Sequence, residues 1–400
     1  MKIMTRLTVP ALCALMLGSP AFAAPNWVRT WEAPPVETPK STPQNPLPSL
    51  SNVTFRMIAR VSAGGSTVRL RLSNELTDKP LALGAVHVAL ADPAGRPVPG
   101  SDRVVSFGGL RSPTIPPFSP LVSDPVALDV PPLAKLVVSI HVPGDAAGVT
   151  VHPLGVETGT IAPGDQTEAA ALTDGTKSTA RFLLSGIDVS GGPATAAIVT
   201  LGDSITDGAL STNDKDQRWP DILADRLRAA GISRLAIANA GISGNRLLQT
   251  GAGPAALARL DRDVLSVPGA RYLIVLEGIN DIGWAKNAQL PPPHPEEIIA
   301  AYRQIIERAH DRGLIVFGAT ILPYKGAGYR SEEGDAVRQA VNAWIRTPGH
   351  FDAVIDLEHA VADPADPLAM KASFDSGDHL HPKDEGYRAM ADAIDIKLFR

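Results

Sequence analysis

Ala196-Ala197-Ile198-Val199-Thr200-Leu201-Gly202-Asp203-Ser204-Ile205-Thr206-Asp207-Gly208 is the stretch on which the reading of this chain turns. Residues 196–201 form an apolar run with no polar alternation. Such a run suits a strand covered on both faces, as in a parallel sheet. Gly202, Asp203 and Ser204 then break it with turn chemistry. The same grammar repeats downstream. Apolar runs lie at 235–240, 272–276, 314–319 and 353–357, with helical spacing near 219–230, 255–264, 295–312, 332–346 and 383–398. Buried strands alternating with helices predict a three-layer α/β/α domain of about five parallel strands over 193–400. Functional residues in such sheets gather at the carboxyl ends of the strands, where the quoted stretch places Ser204.

Upstream the grammar differs. Residues 24–192 are rich in Pro and Gly and carry short candidate strands at 54–61, 67–73, 81–90, 126–130, 136–142 and 148–154. Thr67-Val68-Arg69-Leu70-Arg71-Leu72-Ser73 alternates polar and apolar, as a strand with one wet face must. Turns such as Ala63-Gly64-Gly65-Ser66 separate the runs, and no convincing helix intervenes. The expectation is an N-terminal β-sandwich, jelly-roll-like. The Pro-rich stretches 34–48 and 291–295 read as linker or loop.

Residues 1–23 read as a secretory signal peptide. Lys2 and Arg6 precede an apolar run at 7–17, and Ala21-Phe22-Ala23 offers a small-x-small cleavage site. The run is shorter than the ~20 residues of a membrane span, so no stable membrane insertion is expected. A secreted or periplasmic location follows. Cys13, the one cysteine of the chain, lies in this leader, so the mature chain has no disulfide, Cys-ligated zinc or Cys nucleophile. The precursor carries 37 basic and 42 acidic residues, a net charge of −5. Removing Lys2 and Arg6 leaves 35 against 42, or −7, which argues against nucleic acid as a partner. Nothing in the sequence sets an oligomeric state.

Ser204 alone is as much a turn residue as a nucleophile. Asp378-His379-Leu380-His381-Pro382, just before the last helical stretch, supplies what a serine hydroxyl lacks. An imidazole must take its proton, and a carboxylate must orient that imidazole. Asp378 and His381, three residues apart, can meet on one turn, with His379 pointing away. A metal site on Asp378, His379 and His381 is the alternative, but no His-Glu-x-x-His signature accompanies it, and neither metal nor cofactor is expected. Donors for a developing oxyanion can come from two further strand-end segments: the N–H of Gly244 in 239–246 and the side-chain amide of Asn280 in 278–281. A loop cap is the plainer reading of each.

These four segments, taken in order, resemble the SGNH (GDSL-like) hydrolase superfamily: Gly-Asp-Ser-x-Thr at 202–206, a glycine after the second strand at 244, Gly-x-Asn-Asp at 278–281, and Asp-x-x-His at 378–381. The resemblance implies that Ser204 is nucleophile and first oxyanion donor, Gly244 and Asn280 the second and third donors, His381 the general base and Asp378 its partner. Ile205 stands where the family name has Leu. The α/β-hydrolase elbow Gly-x-Ser-x-Gly is not matched, because Thr206 occupies the second glycine's place. The implied activity is that of a secreted serine esterase on a small-molecule or glycan ester. O-deacetylation of a polysaccharide or oligosaccharide is preferred. Lipid or aryl ester hydrolysis and acetyl transfer by the same triad stand as alternatives.

Other residues read more plainly. Asp203 and Asp207 suit turn capping. Trp284 suits either a pocket wall or rim packing, and Trp219 the core. Arg246 suits a solvated position more than the pocket mouth, and Trp27 and Trp31 the packing of an N-terminal arm more than a sugar platform.

Overall fold

The computed structural model describes residues 26–38 and 50–399. The leader and Cys13 lie outside them, as does most of the first Pro-rich stretch. The described part of that stretch is packed: Val36 exchanges backbone hydrogen bonds with Val151 at 2.7 and 3.1 Å.

Two large antiparallel sheets, with two small two-stranded ones, make up the N-terminal half. One orders Val28–Glu32, Leu184–Ser190, Gly65–Asn74 and Ser119–Val122, with Val126–Val130 also paired to Gly65–Asn74. The other orders Thr176–Ser178, Gly159–Pro163, Ser51–Arg60, Lys135–Asp145, Val86–Leu90 and Arg103–Val104. Alternation decides what each strand buries. Val68, Leu70 and Leu72 from the first sheet share one core with Phe55, Met57, Val138 and Ile140 from the second. Ser51–Arg60 departs from the one-wet-face pattern. Its outer face is covered too, because Thr54 donates to the Gly164 carbonyl at 2.6 Å and Arg56 to the Gln166 and Thr167 carbonyls. The expected strand at 148–154 shrinks to Val151–His152, and that at 81–90 splits into Leu81–Ala82 and Val86–Leu90 around Gly84. A Cβ on Gly84 would sit 2.1 Å from the His141 ring, so the chain passes too close there for a regular strand.

The C-terminal half contains five parallel strands in the order Leu235–Gly241, Ala196–Gly202, Ala270–Leu276, Ile315–Ala319 and Ala353–Ile355. Both faces are dry. Val199, Leu201, Leu273 and Val275 pack with residues of the helices Ile279–Asn287, Pro295–His310 and Glu332–Arg346. Ile198, Ile274 and Phe317 face the other way, toward Trp219–Ala229 and Asp384–Ala393. The helix expected at 383–398 stops at Ala393, where Ile394 turns to extended backbone before a short 3₁₀ turn. Strand order reverses beside Ala196–Gly202, and a crevice at the carboxyl ends is the topological consequence.

The halves meet along the edge strand Leu235–Gly241. Ser62 Oγ accepts from Ile237 N–H at 2.8 Å and stands 2.9 Å from its carbonyl. An otherwise open edge is thereby closed. Among the described residues no helix is long and apolar enough to cross a membrane.

Candidate active site

The parallel register sets Gly202 beside Gly241 on one side and Leu276 on the other, so three strands end at one level. Gly202 must be glycine, since a Cβ there would fall 2.1 Å from Thr206 Oγ1 and 2.8 Å from the Leu276 carbonyl. Asp203 caps the one-turn helix Ser204–Asp207 by accepting from Ile205 N–H at 2.9 Å. Ser204 is the first residue of that helix, so its own N–H has no intrahelical acceptor.

Ser204 Oγ lies 2.7 Å from His381 Nε2. On the far side of the ring, His381 Nδ1 is 2.6 Å from Asp378 Oδ2. Asp378 Oδ1 also accepts the N–H groups of Leu380 and His381 at 2.9 and 2.8 Å. Burial raises the Asp378 pKa, but the bonds from His381 and Leu380 outweigh it and hold the carboxyl down to about 2. An ionised carboxylate fixes the proton on Nδ1, leaving the Nε2 lone pair for the serine hydroxyl. His379 is turned to a different carboxylate, with Nδ1 2.6 Å from Asp375 Oδ2 and a left-handed φ of 62°. Among the described residues no group of three or more His, Cys, Asp or Glu is arranged to hold a metal ion.

The two remaining candidates meet through Asn245. Asn280 Nδ2 donates to the Asn245 carbonyl at 2.9 Å, immediately after Gly244. One of its two amide hydrogens stays available for a ligand. Gly244 has a φ of 75°, which favours glycine. Asp281 tightens the same loop by accepting Leu247 and Leu248 N–H at 2.7 and 2.9 Å.

Two residues that shape this geometry escaped the sequence reading, and a third, Asp207, reads in the sequence as turn capping alone. Arg259, fully buried, donates to Asn245 Oδ1, the Ala240 carbonyl and the Gly202 carbonyl at 2.9, 2.7 and 3.0 Å. It thus ties together the ends of two strands and the Gly244 loop. Asp207 is more than a turn residue: Oδ2 accepts both Ser243 N–H and Oγ–H, at 2.9 and 2.8 Å. His152, from the N-terminal half, reaches Asp207 Oδ1 at 3.0 Å. The lone signal for Arg259 was its i, i+4 spacing to Asp263, which reads equally as a solvated pair. Asp203 itself is pushed up to about 7, chiefly by burial and then by the nearby Asp281 and Asp207, against the opposing Ile205 N–H bond and Arg259.

Trp219 is core, fully buried. Trp31 packs in the N-terminal core, and the Arg69 guanidinium lies 4.4 Å over the Trp27 ring. Trp284 is 46% exposed one helical turn beyond Asn280. With Arg246, Leu290, Pro291 and Glu297 it lines a depression of about 230 Å³. Arg246 donates to the Thr250 carbonyl at 2.9 Å and so stands at this rim.

Residues 200–389 match the family model described as GDSL-like Lipase/Acylhydrolase family. No curated protein matches. Among solved structures, a GDSL-like lipase from Bacteroides thetaiotaomicron VPI-5482 is 22% identical over 51% of this chain and 86% of its own, with a TM-score of 0.38. An acetyl xylan esterase, AlAXEase, is 19% identical over 49% and 96%, with a TM-score of 0.39. The M. smegmatis aryl esterase is 15% identical over 50% and 95%, with a TM-score of 0.39.

Proposed function

We propose that this chain, whose residues 200–389 match the GDSL-like lipase/acylhydrolase family model, is a carboxylic ester hydrolase that works through Ser204, His381 and Asp378 on an acetylated polysaccharide or oligosaccharide outside the cytoplasm. The observation that carries the chemistry is the 2.7 Å contact of Ser204 Oγ with His381 Nε2, with Asp378 on the opposite ring nitrogen.

His381 Nε2 takes the hydroxyl proton as Ser204 Oγ bonds to the ester carbonyl carbon. The N–H groups of Ser204 and Gly244 and the free amide hydrogen of Asn280 receive the developing oxyanion. The bond from carbon to the alcohol oxygen then breaks, and His381 gives its proton to the departing alcohol. Water repeats the sequence on the acyl-enzyme: His381 removes a water proton, the acid leaves, and the proton returns to Ser204 Oγ. The arrangement needs the imidazole neutral, so activity falls on acidification.

In this reading 1–23 is a signal peptide, 24–192 a jelly-roll-like β-sandwich and 193–400 the catalytic domain. The glycan assignment is supported by the half-exposed Trp284, one helical turn beyond Asn280, in a depression also lined by Arg246 and Glu297. A flat apolar face with polar groups at its margin suits a pyranose better than an acyl chain. Ser204→Ala is expected to abolish turnover of a chromogenic acetate ester with the fold intact, and full retention would remove the assignment. Acetate release from acetylated xylan, compared with butyryl and long-chain esters, tests the substrate. Preference for long chains would favour a lipid esterase instead, and acetyl transfer to an added sugar would identify a transferase.

A further inference from the structure

His152 sits on the two-residue strand Val151–His152, paired with Arg181–Phe182, and is 4% exposed. Its Nδ1 is 2.9 Å from the Pro34 carbonyl, and its Nε2 is 3.0 Å from both the Leu154 carbonyl and Asp207 Oδ1. All three partners are acceptors with no proton to give. A neutral imidazole would turn a lone pair onto one of these oxygens, whereas the imidazolium donates at both nitrogens. Burial acts to lower its pKa, but the Asp207 carboxylate and the three hydrogen bonds outweigh burial and raise it above the ordinary histidine value.

Asp207 carries this link onward. It lies three residues after Ser204 on the same short helix and is itself buried. Its second oxygen holds Ser243, the residue before Gly244, by both N–H and Oγ–H. We infer that His152 is a positioning residue of the active site: the N-terminal half supplies a buried imidazolium that fixes Asp207, and through it the placement of Gly244 relative to Ser204. This inference rests on the roles proposed above for Ser204 and Gly244.

The other charged groups near this link do not replace His152. Arg181, opposite on the paired strand, donates to the Glu157 and Gly155 carbonyls at 2.9 and 3.1 Å. Arg218 is committed to Asp221 at 2.7 Å. Glu157 is paired with Lys135, and Asp214 accepts from Thr158. The link is therefore at full strength below the ordinary histidine pKa. It is lost as pH rises through the raised folded value.

The test measures kcat and KM for a chromogenic acetate ester across the neutral-to-alkaline range, with full-length wild type, His152→Gln, Ser243→Ala and Ser204→Ala. His152→Gln keeps an amide donor for Asp207 but carries no charge. It is expected to lower kcat about tenfold with KM within about twofold, an effect confined to the transition state. The wild type is expected to lose activity on the alkaline side, and His152→Gln to lose that limb. A folded His152→Gln with wild-type kcat and an unchanged alkaline limb overturns the inference. If His152→Gln does not fold, Ser243→Ala removes the hydroxyl bond at the far end of the same link while keeping the backbone one: a several-fold lower kcat with the alkaline limb retained supports the inference, and wild-type kcat overturns it. Ser204→Ala separates the two claims. Its complete inactivity leaves the nucleophile standing whatever His152 does, whereas its activity removes the nucleophile and this inference together.

Discussion

Arg259 Nε donates to Asn245 Oδ1 at 2.9 Å in a region closed to solvent. The same guanidinium holds the carbonyls that end the first two parallel strands, Gly202 and Ala240. Its planar fork is what allows one side chain to serve three backbone segments, and a lysine ammonium cannot reproduce that spread. Arg259→Lys is expected to lower kcat on an acetate ester about tenfold or more while retaining a cooperative fold. Arg259→Met removes the cation beside Glu277 and leaves Asp263 with Arg262 alone, and is expected to destabilise by roughly 3–5 kcal/mol. Steady-state kinetics and urea unfolding read the two effects separately.

Asn280 has one amide hydrogen committed to the Asn245 carbonyl. The other is the proposed oxyanion donor. Asn280→Ala is expected to reduce kcat by about 10²–10³, with KM little changed. Gly244→Ala should act through the backbone. A Cβ there would lie 2.9 Å from Ala252 Cβ, on a residue with a φ of 75°. The loop must shift, and kcat is expected to fall at least about tenfold, since displacing one donor weakens charge stabilisation in the transition state. Kinetics on the same ester measure both.

The parallel sheet was legible because a strand covered on both faces is apolar with little alternation, and 196–201, 235–240 and 272–276 are, save Thr200 and Asn239. That Ser204, Asp378 and His381 stand together was legible because the chemistry proposed for them requires it. Arg259, Asp207 and His152 were not. Hydrophobic periodicity locates buried apolar residues, and a buried charge looks in sequence like any polar position on a helix or turn. His152 also depends on pairing across the two halves, with Asp207 55 residues away. No local pattern encodes that contact. The shortened strand at Val151–His152 has a local cause instead: Pro153 and Gly155 break the ladder, while Thr150 and Leu154 keep the composition of a strand.

Trp284 tests the glycan reading. Its ring is 46% exposed beside Arg246 and Glu297 and makes no part of the core. Trp284→Ala is expected to raise KM for an acetylated oligosaccharide about tenfold, the loss of one stacking face. A small acetate ester is expected to show unchanged kcat and KM. Equal losses on both substrates would make the ring a support for the Asn280 helix instead.

Asp203 makes stability depend on pH in an unusual direction for a carboxylate. Burial lifts its pKa from 3.8 to about 7. Between those values the folded state keeps a proton that the unfolded chain has released. Stability therefore falls as pH rises through this window and levels off above it. Asp203→Asn retains a side-chain oxygen to cap Ile205 N–H and has no charge to bury. The variant's advantage over the wild type is expected to be small near pH 4, to grow to on the order of 4 kcal/mol by neutral pH, and then to level off. Thermal melts of both proteins across that range measure it. A difference independent of pH would show that Asp203 is ionised throughout, with Arg259 offsetting the cost of burying its charge.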